Sequence, residues 1–397
     1  MSSILISTFG SGGDLFPLVS IAEQLIRREH QVTFVLPRSL SLYLRGSDFV
    51  CRMYGDGSEA SVLSDEQIFT KRFGGWASWR ETVVRYIAPR LRSDSERLTS
   101  IFDEVRPDVV VTSTFATAAR IAVRQVGAPH VSTSIYPHMQ RFSGRSSTAF
   151  ARRYVQEVVD VSKVRPDKTA ELIDLAWGFP SDTLLLHDRA LLPDDWLSPT
   201  INISGYPSWD NVAVRAEEPE RALAWMTMAP DPVVAVTLGS FLGLAQGRAW
   251  GRALEAVTSC GVRAVLVGAH TRWAREHCEG REDVLTTGYL PLSQLLNGTS
   301  AVIHHGGLGT TFAALRAGKP AAVMPLAFDQ QFNARLLEHV GAGFDSSDRP
   351  LADALRLALG SSETLRVQQL ASQLVEPGAA ARRAADRIIS AVVRSDL

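Results

Sequence analysis

Short apolar runs alternate along this chain with longer stretches of helical periodicity. The first series reads "ILISTF" at 4–9, "QVTFVL" at 31–36, "DVVVTS" at 108–113, "HVSTSI" at 130–135 and "INISGY" at 201–206. Between the first two, Leu18, Ile21, Ala22 and Leu25 of "PLVSIAEQLIRREH" recur at the spacing of one helix face. A second series, "VVAVTL" at 233–238, "RAVLVG" at 263–268, "VLTTGY" at 284–289, "AVIHH" at 301–305 and "AAVMPL" at 321–326, has the same helix-length spacers. Strands apolar at nearly every position fit a parallel sheet covered by helices on both faces. The pattern predicts an α/β protein of two Rossmann-like, doubly wound parallel-sheet domains facing across a cleft.

The segment "GYPSWDNVAVRAEEPERA" is punctuated by Gly, Pro and charge, which places a boundary near residue 207. Residues 1–206 then form an N-terminal domain and 207–376 a C-terminal one, and the closing helix pattern 377–397 is expected to pack back on the first. Each half of the 397 residues is long enough to close its own core. Open parallel sheets bind ligands beyond the carboxyl ends of their strands, so candidate chemistry is sought just after each run.

Composition removes several function classes. With 41 basic against 42 acidic residues and no long block of one sign, nothing asks for nucleic acid or an anionic membrane. No apolar stretch approaches the ~18 residues of a spanning helix, and the start lacks the basic region of a signal peptide, so a cytoplasmic protein is expected. Cys51, Cys260 and Cys278 stand at unrelated spacings without a CxxC pair, and no metal site is expected. The oligomeric state is left open.

After the first run comes "FGSGGDLFP", with Gly10, Gly12, Gly13 and Asp14. A dinucleotide fingerprint would need glycine where Leu15 stands and an acidic residue near "VLPR"; the lone "GKP" at 318–320 lacks the rest of a P-loop. Nicotinamide and ATPase chemistry are therefore disfavoured. Asp14 has two readings: a helix-capping carboxylate, or, with Pro17 at the first helical position, a carboxylate upstream of the helix that acts as general base.

At 304–311, "HHGGLGTT" leads from a strand into a helix. The helix start offers unpaired N–H groups to an anion, Gly306, Gly307 and Gly309 allow close approach, and Thr310 and Thr311 add hydroxyls. An imidazole donates a hydrogen bond without an intervening ion, and the chain has no Asp-x-Asp pair. The expectation is a diphosphate held without a divalent cation. Neighbours on a strand face opposite ways, so one of His304 and His305 is expected to touch it and the other to be structural. After the next run, "AFDQQFNA" brings Asp329, Gln330 and Asn333 to the same sheet edge, where a carboxylate and an amide can pair with sugar hydroxyls.

These stretches resemble the inverting glycosyltransferases of the GT-B fold, the nucleotide-sugar-dependent family that modifies natural products and lipids. The resemblance covers nearly the whole chain and is most specific at 284–344. It implies that His305 reaches the donor α-phosphate, Gly309 and Thr310 the β-phosphate, and Asp329 and Gln330 the sugar. Gly12, Gly13, His304 and Gly307 join the same donor-binding set. The family's "W-x-P-Q" motif is similar to "GYLPLSQLL", putting Tyr289 beneath the base and the Leu290 backbone at its edge, with Leu292 in place of the usual Gln. "TLGSF" places Ser240 near the phosphates or ribose.

Plant members carry Glu where this chain has Ala313, and that Glu grips the ribose hydroxyls; its absence favours a dTDP-sugar over a UDP-sugar. Gly10, Gly13, Asp14 and Pro17 match the bacterial branch with "G-x-x-G-D-x-x-P", whose aspartate is the candidate base, so Asp14 and His305 are the expected catalytic pair. Phe73, Trp76, Trp79 and His138 are expected at a small, apolar acceptor, or else the aromatics in the core and His138 on the surface. Such an acceptor is compatible with peripheral membrane contact. No cofactor beyond the dTDP- or UDP-sugar co-substrate is expected. The alternatives are a sugar-nucleotide epimerase and a non-catalytic partner of the same fold.

Overall fold

A computed structural model of the chain describes residues 1–55, 82–137, 149–163, 175–176, 183–194, 201–210, 217–239, 247–268, 272–288 and 290–395. The chain divides into two compact units, one running to Trp209 and rejoined by Val375–Leu397, the other containing Asp210–Leu374.

The first unit is built on strands β1 (Ser3–Ser7), β2 (Gln31–Pro37), β3 (Val50–Tyr54), β4 (Val109–Ser113), β5 (His130–Ser134), β6 (Leu184–Leu185) and β7 (Asn202–Ile203). Their order in the sheet is β3-β2-β1-β4-β5-β6-β7. Every pairing is parallel, with Ile4 opposite Val32 on one side and Val109 on the other. The chain winds one way from β1 and returns to wind the other way from β4, which leaves a switch point between these two strands. Its helices are α1 (Gly12–Ile26), α2 (Arg38–Ser41), α3 (Leu91–Val105), α4 (Thr117–Val126) and α5 (Ala149–Ser162).

The second unit contains α6 (Glu217–Thr227), β8 (Val233–Thr237), α7 (Gly247–Cys260), β9 (Arg263–Val267), α8 (Arg272–Cys278), β10 (Val284–Thr287) and α9 (Leu292–Leu295). It continues with β11 (Ala301–His304), α10 (Leu308–Arg316), β12 (Ala321–Val323), α11 (Gln330–His339), β13 (Gly343–Asp345), α12 (Leu351–Ala358) and α13 (Ser361–Ala371). The sheet order is β10-β9-β8-β11-β12-β13, again all parallel, with a switch point between β8 and β11. All residues of β4, β8 and β9 are buried, as two-sided helix cover demands.

Helix α14 (Pro377–Ser395) belongs to the first unit, where it packs on α1. Ala380, Ala381, Ala384, Ala385 and Ile388 form its buried stripe, and Arg28 pairs with Asp386 at 2.6 Å beside it. Small residues let the helix approach closely: a side chain on Gly205 would lie 2.7 Å from Val375 and 3.0 Å from Ala380.

Three strands, β3, β6 and β13, lie outside the predicted runs. Edge strands β3 and β13 pair on one side only, and "VCRMY" carries Arg52 rather than a continuous apolar run. Strand β6 is two residues long and leaves no periodic signal. Helix α1 also begins earlier than Pro17 suggests. Ser11 is the N-cap, Gly12 opens the helix and Pro17 sits inside it, so the expectation that Asp14 lies upstream of the helix is corrected. Pro17 lacks only the N–H that would have reached back to Gly13, whereas Ser11 and Asp14 satisfy the first-turn donors.

Candidate functional site

At the switch point of the second sheet, β8 and β11 are neighbours, so the turn after Thr237 and the turn after His304 emerge side by side. His305, 8% exposed, lies between them. A side chain built on Gly239 would come within 2.5 Å of its Cε1, and one built on Gly307 would collide with its Nε2. Both glycines are therefore required for the ring to stand where it does. Its Nδ1 is buried without a hydrogen bond among the described residues. Burial lowers its pKa to about 4, with the Thr237 backbone working the other way, so the ring is neutral at pH 7.

His304, the last residue of β11, is fully enclosed. Its Nδ1 accepts from the Gly306 N–H at 3.0 Å, which fixes the proton of the neutral ring on Nε2. Burial, and then the neighbouring His305, pushes its pKa down to about 3. One histidine thus shapes the turn and the other faces the glycines.

Helix α10 starts immediately afterwards, capped by Gly307, which offers no side chain to its first turn. The N–H groups of Leu308, Gly309 and Thr310 are consequently the orphan donors of a helix N-terminus, beside the positive end of its dipole. Thr310 stands in that turn, whereas Thr311 is buried with a hydroxyl that makes no hydrogen bond among the described residues.

One strand further, Asp329 caps α11 and Gln330 opens it. Gln330 Oε1 accepts from the N–H groups of Leu326 at 2.8 Å and Ala327 at 2.9 Å, which orients its amide nitrogen as the remaining donor. Phe328, just before Asp329, adopts a φ of 55°, a left-handed conformation unusual for a bulky residue. Asn333 donates both to Gly306 O at 2.8 Å and to Asp329 Oδ2 at 2.7 Å. Leu290, expected at the base edge, is buried at the start of the segment leading to α9.

In the first unit, Asp14 is the third residue of α1 and completes a capping box with Ser11. Asp14 Oδ2 accepts from the Ser11 N–H at 2.8 Å and lies 3.2 Å from its hydroxyl, and Gly13 N donates back to Ser11 Oγ at 3.2 Å. Its other oxygen, Oδ1, accepts from the Tyr136 hydroxyl at 2.6 Å. Gly10, at φ 128°, leaves the carboxylate the space that a Cβ would fill. At 6% exposure, burial raises the Asp14 pKa, opposed by the Ser11 backbone and then by the Tyr136 and Ser11 side chains. The carboxylate that completes the capping box thus also has a raised pKa.

Residues 267–390 match the model of the erythromycin biosynthesis protein CIII-like C-terminal domain, and residues 4–48 that of the glycosyltransferase family 28 N-terminal domain. Glycosyltransferase GtfE of Amycolatopsis orientalis is 25% identical, over 98% of this chain and 97% of its own. The sterol 3-beta-glucosyltransferase of Debaryomyces hansenii is 24% identical over 90% of this chain, which spans only 25% of that longer protein. Among solved structures, the glycotransferase of kitacinnamycin superposes with a TM-score of 0.72 at 22% identity, covering 98% of this chain and 99% of that one. The spinosyn rhamnosyltransferase SpnG, solved with thymidine diphosphate, gives 0.68 at 18% identity, covering 96% and 99%.

The fold is GT-B.

Of the residues expected in the site of this GT-B chain, the structure gathers His304, His305, Gly307, Gly309, Thr310, Asp329 and Gln330 at adjoining strand ends of the second unit. Gly12, Gly13 and Asp14 share the first turn of α1 in the first unit. Ser240, Tyr289, Phe73, Trp76, Trp79 and His138 lie outside the described residues. Two residues beside these were not singled out from the sequence. Gly239 lies in "TLGSF", where its φ of 76° and its contact with His305 have no local signature. Tyr136 lies in "SIYP", two positions before His138, and only the placement of β5 near β1 shows what it meets.

Proposed function

We propose that the protein transfers a hexose or deoxyhexose from a dTDP- or UDP-sugar to a hydroxyl of a small, apolar acceptor, with inversion at the anomeric carbon. The observation that carries this reading is His305: a neutral imidazole, flanked by two glycines, beside the N-terminus of α10, whose Gly307 cap supplies no side-chain bond. That combination suits a leaving diphosphate. It supplies donors without a counter-charge that would hold the ground state equally well.

In the reaction, the acceptor oxygen forms a bond to the anomeric carbon as the bond to the diphosphate oxygen breaks. The acceptor proton passes to Asp14, whose raised pKa makes it a stronger base than an exposed carboxylate. His305, Thr310 and the α10 N–H groups take the negative charge of the nucleoside diphosphate. Asp329 and Gln330 hold sugar hydroxyls, one as acceptor and one as donor. With imidazole and helix donors on the phosphates and no Asp-x-Asp pair in the sequence, transfer is expected to proceed unchanged in EDTA.

Ala313 in place of a ribose-gripping Glu favours a deoxyribose nucleotide, and the thymidine diphosphate in the SpnG structure is consistent with that choice. The relatives named for sterols and for antibiotic biosynthesis support a hydrophobic acceptor.

The test is a thermal-shift comparison of dTDP- and UDP-sugars, followed by mass spectrometry of acceptor mixtures with the stabilising donor. His305→Ala should weaken donor binding and slow transfer, and Asp14→Asn should abolish transfer while donor binding persists. Isomerised sugar from donor alone would instead identify an epimerase. Normal turnover of Asp14→Asn would remove Asp14 from the chemistry.

A further inference from the structure

The side-chain amide of Asn333 joins two turns that leave different strands. Its Nδ2 donates to Gly306 O, in the turn after β11, and to Asp329 Oδ2, in the turn after β12, at 2.8 and 2.7 Å. Strands β11 and β12 are parallel neighbours, with His304 opposite Val323, so both turns emerge at one sheet edge. An amide nitrogen has two hydrogens, and here each bridges to a different turn. Asn333 is 2% exposed, and its own N–H donates to Asp329 O at 2.9 Å, which seats it one helical turn above that residue.

The same junction is tightened from two other directions. Gly306 adopts a φ of 91°, and a Cβ there would lie 2.7 Å from the Gln330 carbonyl oxygen, so the turn lies directly on the start of α11. The Gly306 N–H is fixed in turn by His304 Nδ1 at 3.0 Å. A continuous chain of bonds therefore runs from His304 through Gly306 and Asn333 to Asp329.

We propose that Asn333 is a positioning residue for the sugar donor: its amide holds the Asp329 carboxylate in fixed register with the turn that carries His305. This rests on the reading of His305 and Asp329 given above. A buried asparagine that only satisfied Gly306 O would need one donor. The second hydrogen goes to a carboxylate, where the bond is charge-assisted and the stronger of the two. Its consequence is that sugar and leaving group are located together, and a displacement of about 1 Å between them costs on the order of a hundredfold in rate.

The role predicts a split between ligands. Thymidine or uridine diphosphate has no sugar for Asp329 to hold, so Asn333→Ala should bind it within about twofold of the wild type. Turnover of the matching nucleotide sugar should fall on the order of a hundredfold. Asn333→Asp keeps the volume but sets an acceptor against Asp329 and Gly306 O, and should fall further. In an Asp329→Ala background, adding Asn333→Ala should change turnover by no more than about twofold, because the group it positions is gone.

Calorimetry with both ligands, steady-state kcat and KM, and Tm for each variant decide the matter. Equal loss of diphosphate and nucleotide-sugar binding, unchanged kcat, additivity with Asp329→Ala, or failure of both Asn333 variants to fold would each overturn the positioning role in favour of a structural one. A wild-type protein that binds no nucleotide sugar, or is indifferent to His305→Ala, would instead remove the donor-site reading beneath it.

Discussion

The Tyr136 hydroxyl donates to Asp14 Oδ1 at 2.6 Å, joining the turn after β5 to the first turn of α1. Strand β4 lies between β1 and β5, so this bond reaches over the carboxyl end of the sheet beside its switch point. Thr8 Oγ1 to Ser113 Oγ at 2.7 Å and Thr114 Oγ1 to Ser134 Oγ at 2.9 Å tie the same strand ends together beneath it.

Tyr136→Phe should shift the acid limb of the rate profile to higher pH. Burial raises the Asp14 pKa above the ordinary value of 3.8, and the Tyr136 hydrogen bond opposes that rise. Removing the phenol removes one opposing group, so Asp14 ionises at a still higher pH. A lost hydrogen bond to a charged group is worth roughly 1.5–3 kcal/mol, or about tenfold or more in rate on the acid side. An unmoved limb, with Asp14→Asn inactive, would separate Tyr136 from the base.

Acid should destabilise the fold through buried neutral imidazoles. His304 and His130 are held near a pKa of about 3 and His305 and His187 near about 4, each by burial, against an ordinary 6.5. Their folded-state pKa values are depressed, so the unfolded chain binds more protons below 6.5. Stability is complete above that pH and falls as the pH drops toward 4, by about 1.4 kcal/mol per pH unit per histidine. Asp14 has the opposite sign: its raised pKa favours the fold at low pH and withdraws that stability as the pH rises through the folded value. Tm measured from pH 8 to 5 should therefore decline on the acid side. A flat profile would contradict the burial of these rings.

Gly307→Ala should impair donor binding for a steric reason alone. Gly307 has an ordinary φ of −65°, so alanine meets no backbone strain, yet its Cβ would collide with His305 Nε2. Forcing the ring aside costs roughly 1–3 kcal/mol, about tenfold or more in donor affinity. Gly239→Ala adds a φ of 76° to a Cβ contact of 2.5 Å with the same ring and should be worse.

Gly251→Ala provides the contrast. Gly251 lies inside α7 with nothing within 4 Å of its missing Cβ. Alanine there should raise stability by about 0.5–1 kcal/mol and leave transfer unchanged, readable as a higher Tm at constant kcat. A drop in Tm would mean that the helix is not packed as described.

The apolar runs were enough to place strands β1, β2, β4, β5 and β8 through β12, because a strand buried on both faces has few positions left for polar residues. The edge strands β3 and β13 escaped, since a strand paired on one side tolerates residues such as Arg52 and Asp345. At α1, Pro17 drew the predicted start too far along the chain. Proline sets its own φ, but the helix start is decided by the Ser11–Asp14 capping box upstream.

By itself, the sequence determined the two βα series, the glycine-rich turns at their strand ends, and the chemical identity of His305, Asp329, Gln330 and Asp14. These are local properties: periodicity states which faces are buried, and side-chain type states what a residue can donate or accept. Only the tertiary structure decided that Gly239 adjoins His305, that Tyr136 meets Asp14, and that Asn333 spans Gly306 and Asp329. An apolar strand fits almost any parallel neighbour equally well in its own sequence. Which strand ends stand together is settled by the winding of the whole sheet, and with it the groups that share a proton or hold one another in place.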